Sequence, residues 1–148
     1  MASWSEFEAA EPEFASRVRR LLESQKHLTM ATLRRDGSPR ISGTEVEFAG
    51  GQLRIGSMPG AVKALDLRRD SRVAIHGPTD DPPEGDPAGW KGEAKVAGIA
   101  TEVDSGSSAH RFHIDIQEAV ITRLNEAGSR LVVESWHPAR GHRLLERE

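Results

Sequence analysis

The spacing of apolar residues predicts two short helices set among strands. Apolar residues recur at helical intervals from about Pro12 to Gln25, which predicts an amphipathic helix near the N-terminus. A second short helix is predicted over 61–69. The other apolar segments are short and rich in β-branched residues, which is typical of strands. The predicted strands are residues 28–33, 40–48, 52–57, 72–76, 93–103, 111–124 and 129–136.

Glycine and proline residues mark the connections between these strands. Asp36-Gly37 favours a hairpin turn, and Gly50-Gly51 favours another, so the first three strands are expected to form an antiparallel meander. Residues 77–92 contain half of the prolines and are predicted to form a surface loop. The alternation of apolar residues in the strand over 111–124 slips near residues 117–119, which predicts a β-bulge or a bend.

Together these elements predict a mainly β protein with a single domain over residues 1–148. Its expected architecture is a closed or partly closed antiparallel barrel of six to seven strands, with an N-terminal helix and one inserted helix. A doubly wound parallel sheet is not expected, because only one short helix separates any two strands.

Composition then excludes several classes of function. The formal net charge of −3 argues against a nucleic-acid-binding protein, which needs an excess of positive charge. The chain has no cysteine, so disulfides, thiolate nucleophiles and cysteine-bound metals are excluded. No apolar run approaches the roughly 20 residues that cross a membrane, and no signal peptide is evident. The expected location is the cytoplasm.

The sequence carries no familiar catalytic signature. It lacks the P-loop, G-x-G-x-x-G and G-x-S-x-G patterns. His110 and His113 stand three residues apart on a predicted strand and therefore face opposite sides. We interpret them as exposed polar residues and expect no metal site there. No residue is assigned as a catalytic acid, base or nucleophile.

One segment does have the chemistry of an anion site. Ser57 ends a predicted strand, Gly60 opens a turn, and Lys63 lies in the first turn of the following helix. Free backbone N–H groups at a helix start attract anions, whereas a lysine there opposes the helix dipole unless an anion is bound. From local chemistry alone, a plain strand–helix connection with a solvated lysine is the simpler interpretation.

Three blocks of sequence, residues 31–39, 51–57 and 63–73, resemble the pyridoxamine 5′-phosphate oxidase-like family of split-barrel flavin and deazaflavin oxidoreductases. The D-G-x-P turn at 36–39 and the K-x-x-D-L-x-x-D-x-R-V block at 63–73 are the most specific parts of this resemblance. The resemblance implies a six-stranded split barrel that forms a homodimer, with the cofactor in a cleft between the subunits.

The resemblance also implies the binding residues. Lys63 would contact the cofactor phosphate, beside the amides near Gly60, with Ser57 and Met58 lining that end. Residues 40–44 would run along the tricyclic ring, and within them we name Arg40, Ser42 and Thr44 as candidates. Trp90 is a candidate for the substrate wall, and it is equally consistent with a residue that pins its own loop.

The implied function is an oxidoreductase that transfers hydride to or from a small organic molecule. The expected cofactor is FMN, with the deazaflavin coenzyme F420 as the alternative. Two departures argue against vitamin oxidation: Ser42 stands where true pyridoxamine phosphate oxidases carry arginine, and their C-terminal Arg-x-His has no counterpart. The helix that relatives place before the Phe112 strand is also missing, with only residues 105–108 there. The alternatives are a non-catalytic carrier or sensor of a flavin or haem, and a scaffold without ligand.

Overall fold

The computed structural model describes residues 1–148, which form three α-helices, one short 3-10 helix and nine β-strands. The helices are α1 (Trp4–Ala10), α2 (Pro12–Leu22) and α3 (Val62–Arg69), and the 3-10 turn is Pro87–Gly89. The strands are β1 (Leu28–Leu33), β2 (Pro39–Thr44), β3 (Val46–Ala49), β4 (Gln52–Ser57), β5 (Arg72–His76), β6 (Glu93–Val103), β7 (His110–Leu124), β8 (Leu131–His137) and β9 (Gly141–Arg147).

All strand pairs are antiparallel, and the main sheet runs in the order β2-β1-β5-β6-β7-β4-β3. β8 pairs with β7 and extends to β9. The predicted strand over 40–48 is interrupted at Glu45. Its first part pairs with β1 and its second part with β4, so the two ends of the sheet are joined through one residue of chain. The mainly β antiparallel fold is thus confirmed, with more strands than expected.

The predicted bulge lies in the longest strand. β6 and β7 pair in a regular ladder until Ala97 pairs with Glu118 and Gly98 pairs with Ile116, which leaves Gln117 as the extra residue. Before the bulge, the buried residues of β7 are the even-numbered ones from His110 to Ile116. After the bulge, the buried residues are 119–121. The bulge therefore allows one long strand to keep apolar residues in the core on both sides of the bend.

The core fills the barrel and extends to one end under α1 and α2. Aromatic rings link these helices to the sheet: Phe7 stacks on Trp136 at 4.5 Å, and Trp4 contacts Phe7 edge to face at 5.1 Å. Phe14 and Val18 of α2 are fully buried on the same side. Trp136 is only 5% exposed and belongs to the same core.

Several predicted boundaries need correction. The helix expected to reach Gln25 ends at Leu22, because Ser24 turns back to bond the carbonyl of Leu21. α1 and β9 were not predicted. Residues 77–92 do form a loop, apart from the 3-10 turn. No helix in the structure is both long and apolar enough to span a bilayer.

Candidate functional site

The largest cavity is a cleft of about 710 Å³ at the interruption between β2 and β3. The end of β4, the turn before α3 and the start of β7 form its other walls. This volume lies within the usual range of small-molecule sites. Its lining residues are His27, Gly43, Thr44, Glu45, Val46, Glu47, Arg54, Ile55, Gly56, Ser57, Met58, Pro59, Lys63, Ser105, Ser107, Ala109, His110 and Arg111.

Two residues of β4 that line this cleft carry buried polar atoms. Ser57 Oγ and Arg54 Nε are inaccessible to solvent and have no hydrogen-bond partner within the protein. The two residues are three positions apart, so their side chains leave the strand on opposite faces. Ser57 lines the same wall as Lys63, and a hydroxyl beside an ammonium group suits an anionic oxygen.

The lysine of the predicted site faces the same cleft. Lys63 Nζ donates a hydrogen bond to the carbonyl oxygen of Gly43 at 2.7 Å, which brings the first turn of α3 against the end of β2. No side chain caps the N-terminus of α3, and its first turn has no acidic residue. The helix start thus keeps its positive character beside the Lys63 ammonium, Arg54 and Arg111.

A buried carboxylate fixes α3 in this position. Asp66 is 2% exposed and accepts hydrogen bonds from Thr32 of β1, Arg40 of β2 and Arg69 of its own helix, at 2.8, 2.8 and 3.0 Å. Burial raises the pKa of Asp66, but these hydrogen bonds outweigh it and hold the pKa below its ordinary value. Asp66 therefore stays ionised and ties α3, which carries Lys63, to the first hairpin.

His110 lies at the site and is buried, so the prediction that it is an exposed polar residue is wrong. It is 8% exposed rather than on the surface, and its Nε2 accepts a hydrogen bond from the N–H of Gly60 at 3.0 Å. Its Nδ1 lies 3.3 Å from Glu102 Oε2, and Glu102 in turn pairs with Arg68. With Nε2 as the acceptor, Nδ1 carries the ring proton and donates a hydrogen bond to Glu102. The ring thus holds Gly60, whose φ is +73°, at the turn into α3.

A readable signal for His110 existed in the sequence. The residue stands two positions before Phe112, so on a strand it shares the face of Phe112 and Ile114. That face is buried. The expectation that His110 and His113 point to opposite sides holds, since His113 is half-buried on the other face. The apolar residues Phe112 and Ile114 indicate that the face of His110 is the interior one.

The structure brings four of the predicted binding residues together: Ser57, Met58, Lys63 and Thr44 all line the cleft. Gly60 borders it, but its N–H is already bonded to His110 and is not free for a phosphate. Arg40 and Ser42 are not among the lining residues. The Arg40 guanidinium bonds to Asp66 instead, and Ser42 is a half-buried residue of β2 that pairs with Met30.

Trp90 also lies outside the lining of the cleft. Its Nε1 donates a hydrogen bond to the carbonyl of Asp80 at 2.7 Å, across the proline-rich loop. This contact supports the alternative in which the indole pins its own loop.

The cleft offers binding groups rather than a set of reacting ones. Cationic Arg54, Lys63 and Arg111 line it together with Glu45 and Glu47, and Glu47 is the cross-strand partner of Arg54. The structure has no group of three or more His, Asp or Glu side chains arranged for a metal ion.

The chain belongs to the pyridoxamine 5′-phosphate oxidase family, whose sequence pattern matches residues 14–140. That match confirms the resemblance noted in the sequence and identifies the barrel as the split barrel of this family. The family includes FMN-binding oxidoreductases and haem-binding proteins. A search of curated protein sequences finds no significant match to the chain.

Solved structures share this fold at low sequence identity. A pyridoxamine 5′-phosphate oxidase-related, FMN-binding protein from Nostoc punctiforme has a TM-score of 0.63 and 12% identity, over 93% of this chain and 96% of that chain. PhzG from Burkholderia lata, in complex with tetrahydrophenazine-1-carboxylic acid, has a TM-score of 0.63 and 8% identity, over 93% and 87%. A haem-binding protein from Mycobacterium smegmatis has a TM-score of 0.57 and 13% identity, over 88% and 86%.

Proposed function

We propose that this protein is a flavin-dependent oxidoreductase that holds FMN in the cleft at the β2–β3 interruption and transfers hydride to or from a small organic substrate. The observation that carries the proposal is the unpartnered, buried Ser57 Oγ in the same wall of the cleft as the Lys63 ammonium group. The deazaflavin coenzyme is the alternative cofactor, since it shares a phosphate next to a tricyclic ring system.

The residues of this chain have distinct parts in that function. Lys63 and Ser57 bind the phosphate end, and Asp66 and His110 keep α3 and its preceding turn in place. The backbone from Gly43 to Val46 forms the wall along which the ring lies. The bound flavin itself supplies the hydride chemistry, so the protein needs no catalytic acid or nucleophile.

The proposed active form is a homodimer with the cleft at the subunit interface. Ile41 is 74% exposed and Met58 is 79% exposed, and Val62 and Leu65 are exposed on α3 nearby. Met58 lines the cleft, Val62 and Leu65 lie on the helix that carries Lys63, and Ile41 lies two residues before Gly43 on β2. Exposed apolar residues of this kind are typical of an interface. Sedimentation velocity should show a species of twice the chain mass for the wild type and a monomer for Ile41→Glu, whereas an unchanged dimer in that variant would contradict the proposed interface.

The test of the cofactor site compares two flavins that differ only in the phosphate. Replacing Lys63 by methionine should weaken FMN binding by about ten-fold, equivalent to about 1.4 kcal/mol, because it removes a charge-assisted contact. Binding of riboflavin, which lacks the phosphate, should change little. Titrations followed by flavin fluorescence measure both constants, with Lys95→Met as a control lysine on the exposed side of β6. Equal losses for both flavins would contradict phosphate recognition by Lys63.

Turnover separates an enzyme from a carrier. The FMN-loaded protein should reduce quinone, nitro or enone acceptors with a reduced nicotinamide or deazaflavin donor. Tight FMN binding without turnover by any donor would identify a carrier. A haem carrier would need an axial ligand. His110 is engaged, because Nε2 bonds to Gly60 and Nδ1 faces Glu102, which leaves the exposed His27 as the histidine of the cleft that could serve. An absorbance titration with haemin tests this directly.

A further inference from the structure

A second cavity of about 550 Å³ lies between α2, the loop before β6 and strand β7. It shares no lining residue with the flavin cleft. Leu21 and the nearly inaccessible Ile121 form its apolar part. Four cationic side chains surround them: Arg17, Arg20, Lys91 and Arg123. We call this the basic cavity.

Two of these cations are held rigidly by a buried carboxylate. Arg17 donates to both oxygens of Glu134 at 2.6 and 2.7 Å, and Arg123 Nε donates to Glu134 Oε2 at 2.9 Å. Arg17 also lies 2.8 Å from Glu13. Both side chains remain partly exposed, at 26% for Arg17 and 32% for Arg123. Their charges are therefore largely balanced, but their positions at the cavity are fixed.

The other two cations have no balancing carboxylate. Arg20 and Lys91 form no ion pair in the structure, although the whole chain carries a net negative charge. The dipole of α2 favours a cation in its last turn, which accounts for Arg20. It does not account for Lys91, which comes from a separate loop and meets the same cavity. Four cations against Glu134 and Glu13 leave about two positive charges over an apolar floor, in a concave site that concentrates their field.

We propose that the basic cavity is a second small-molecule site, which binds an organic phosphate monoester through Arg20 and Lys91 and packs its apolar part on Leu21 and Ile121. A dianionic phosphate matches the two unbalanced charges, and arginine is well suited to phosphate oxygens. The apolar floor distinguishes this ligand from a free inorganic ion.

The test uses 1-naphthyl phosphate, which combines a dianion with an apolar ring, and the full-length protein with and without FMN. Isothermal titration calorimetry should show saturable binding in both states. Arg20→Gln and Lys91→Gln should each weaken binding by about five-fold, and the double variant more, since each removes one charge that contacts the phosphate. Both side chains are unpaired, so the variants should keep the wild-type melting temperature. Lys95→Gln, an exposed lysine elsewhere, should leave binding unchanged.

Several results would overturn the proposal. These are the absence of saturable binding, equal affinity of the wild type and the double variant, or equal affinity for 1-naphthol, which lacks the charge. Inorganic phosphate binding as tightly as 1-naphthyl phosphate would remove the role of Leu21 and Ile121. Because FMN occupies a different cavity, failure here leaves the flavin proposal standing, and loss of FMN binding does not affect this result.

Discussion

Replacing Glu134 by glutamine should lower the free energy of unfolding at pH 7 by about 3–5 kcal/mol. Glu134 is 3% exposed and accepts hydrogen bonds from Arg17 and Arg123, with His142 Nε2 at 3.1 Å. Glutamine has nearly the same shape but no charge, so it leaves two arginines without their counterion. For a domain whose total stability is typically 5–15 kcal/mol, this is a large fraction.

The same residue predicts how stability depends on pH. The hydrogen bonds from Arg17 lower the pKa of Glu134 from 4.5 to about 2, despite burial, and Arg123 adds to the effect. A folded-state pKa below the unfolded value means that the carboxylate stabilises the protein above about pH 5 and progressively less as the pH falls toward 2. The difference corresponds to about 3 kcal/mol at neutral pH.

Urea denaturation of wild type and Glu134→Gln at pH 7, 5 and 3.5 measures both effects. The gap between the two proteins should be largest at pH 7 and narrow at pH 3.5. Glu126→Gln, in an exposed turn, serves as the matched control and should match the wild type. A constant gap at all three pH values would show that lost packing, rather than charge, causes the destabilisation.

Replacing Gly98 by alanine should prevent folding or cost more than about 4 kcal/mol, in the range reserved for severe backbone conflicts. A Cβ atom at Gly98 would lie 1.8 Å from the carbonyl oxygen of Asp115 and 2.9 Å from its carbon. Both are backbone atoms of β7 next to the bulge at Gln117, so no flexible side chain can move aside. β6 and β7 would have to separate at the centre of the sheet.

Gly43→Ala is the matched control for this prediction. Gly43 is also a strand glycine without positive φ, and the atom nearest to a Cβ added there, the carbonyl oxygen of Leu28, is 4.0 Å away. Far-UV circular dichroism and thermal melting should show a folded Gly43→Ala protein and a destabilised or unfolded Gly98→Ala protein. A wild-type melting temperature for Gly98→Ala would mean that the two strands can move apart at little cost.

Much of this fold was predictable because apolar periodicity reports which face is buried. The phase slip near residue 117 predicted the bulge, and the Asp36-Gly37 turn predicted the first hairpin. The break at Glu45 left no such trace, because alternation continues unchanged through Thr44 and Val46. Only the pairing partners reveal that the strand leaves one hairpin and joins another.

The two missed elements differ in what the sequence could have shown. α1 has only two buried side chains, but Ser3 and Glu6 form a capping box that was legible as a helix start. β9 carries Leu144 and Leu145 side by side, both mostly exposed, so neither a strand nor a helix period appears. Its position depends on hairpin pairing with β8, which the sequence pattern of β9 alone does not indicate.

The sequence predicted the lysine and serine of the candidate site better than it predicted the residues that hold them in place. Lys63 and Ser57 were predicted from the position of the helix start and from the resemblance to the pyridoxamine 5′-phosphate oxidase family. Arg54 was not, because a charged residue on a strand with an apolar face is normally solvated, and its burial in the cleft depends on the neighbouring strand. The roles of Asp66 and His110 arise from contacts with residues 26 to 50 positions away, which local pattern cannot supply.

The single-residue link at Glu45 has a mechanical consequence. The sheet's two ends are connected there by covalent chain and not by ladder hydrogen bonds. Two peptide units can separate the Cα atoms of Thr44 and Val46 by no more than about 7 Å. The chain itself therefore sets the spacing between the two strand ends at this point, where no hydrogen bond between strands could do so.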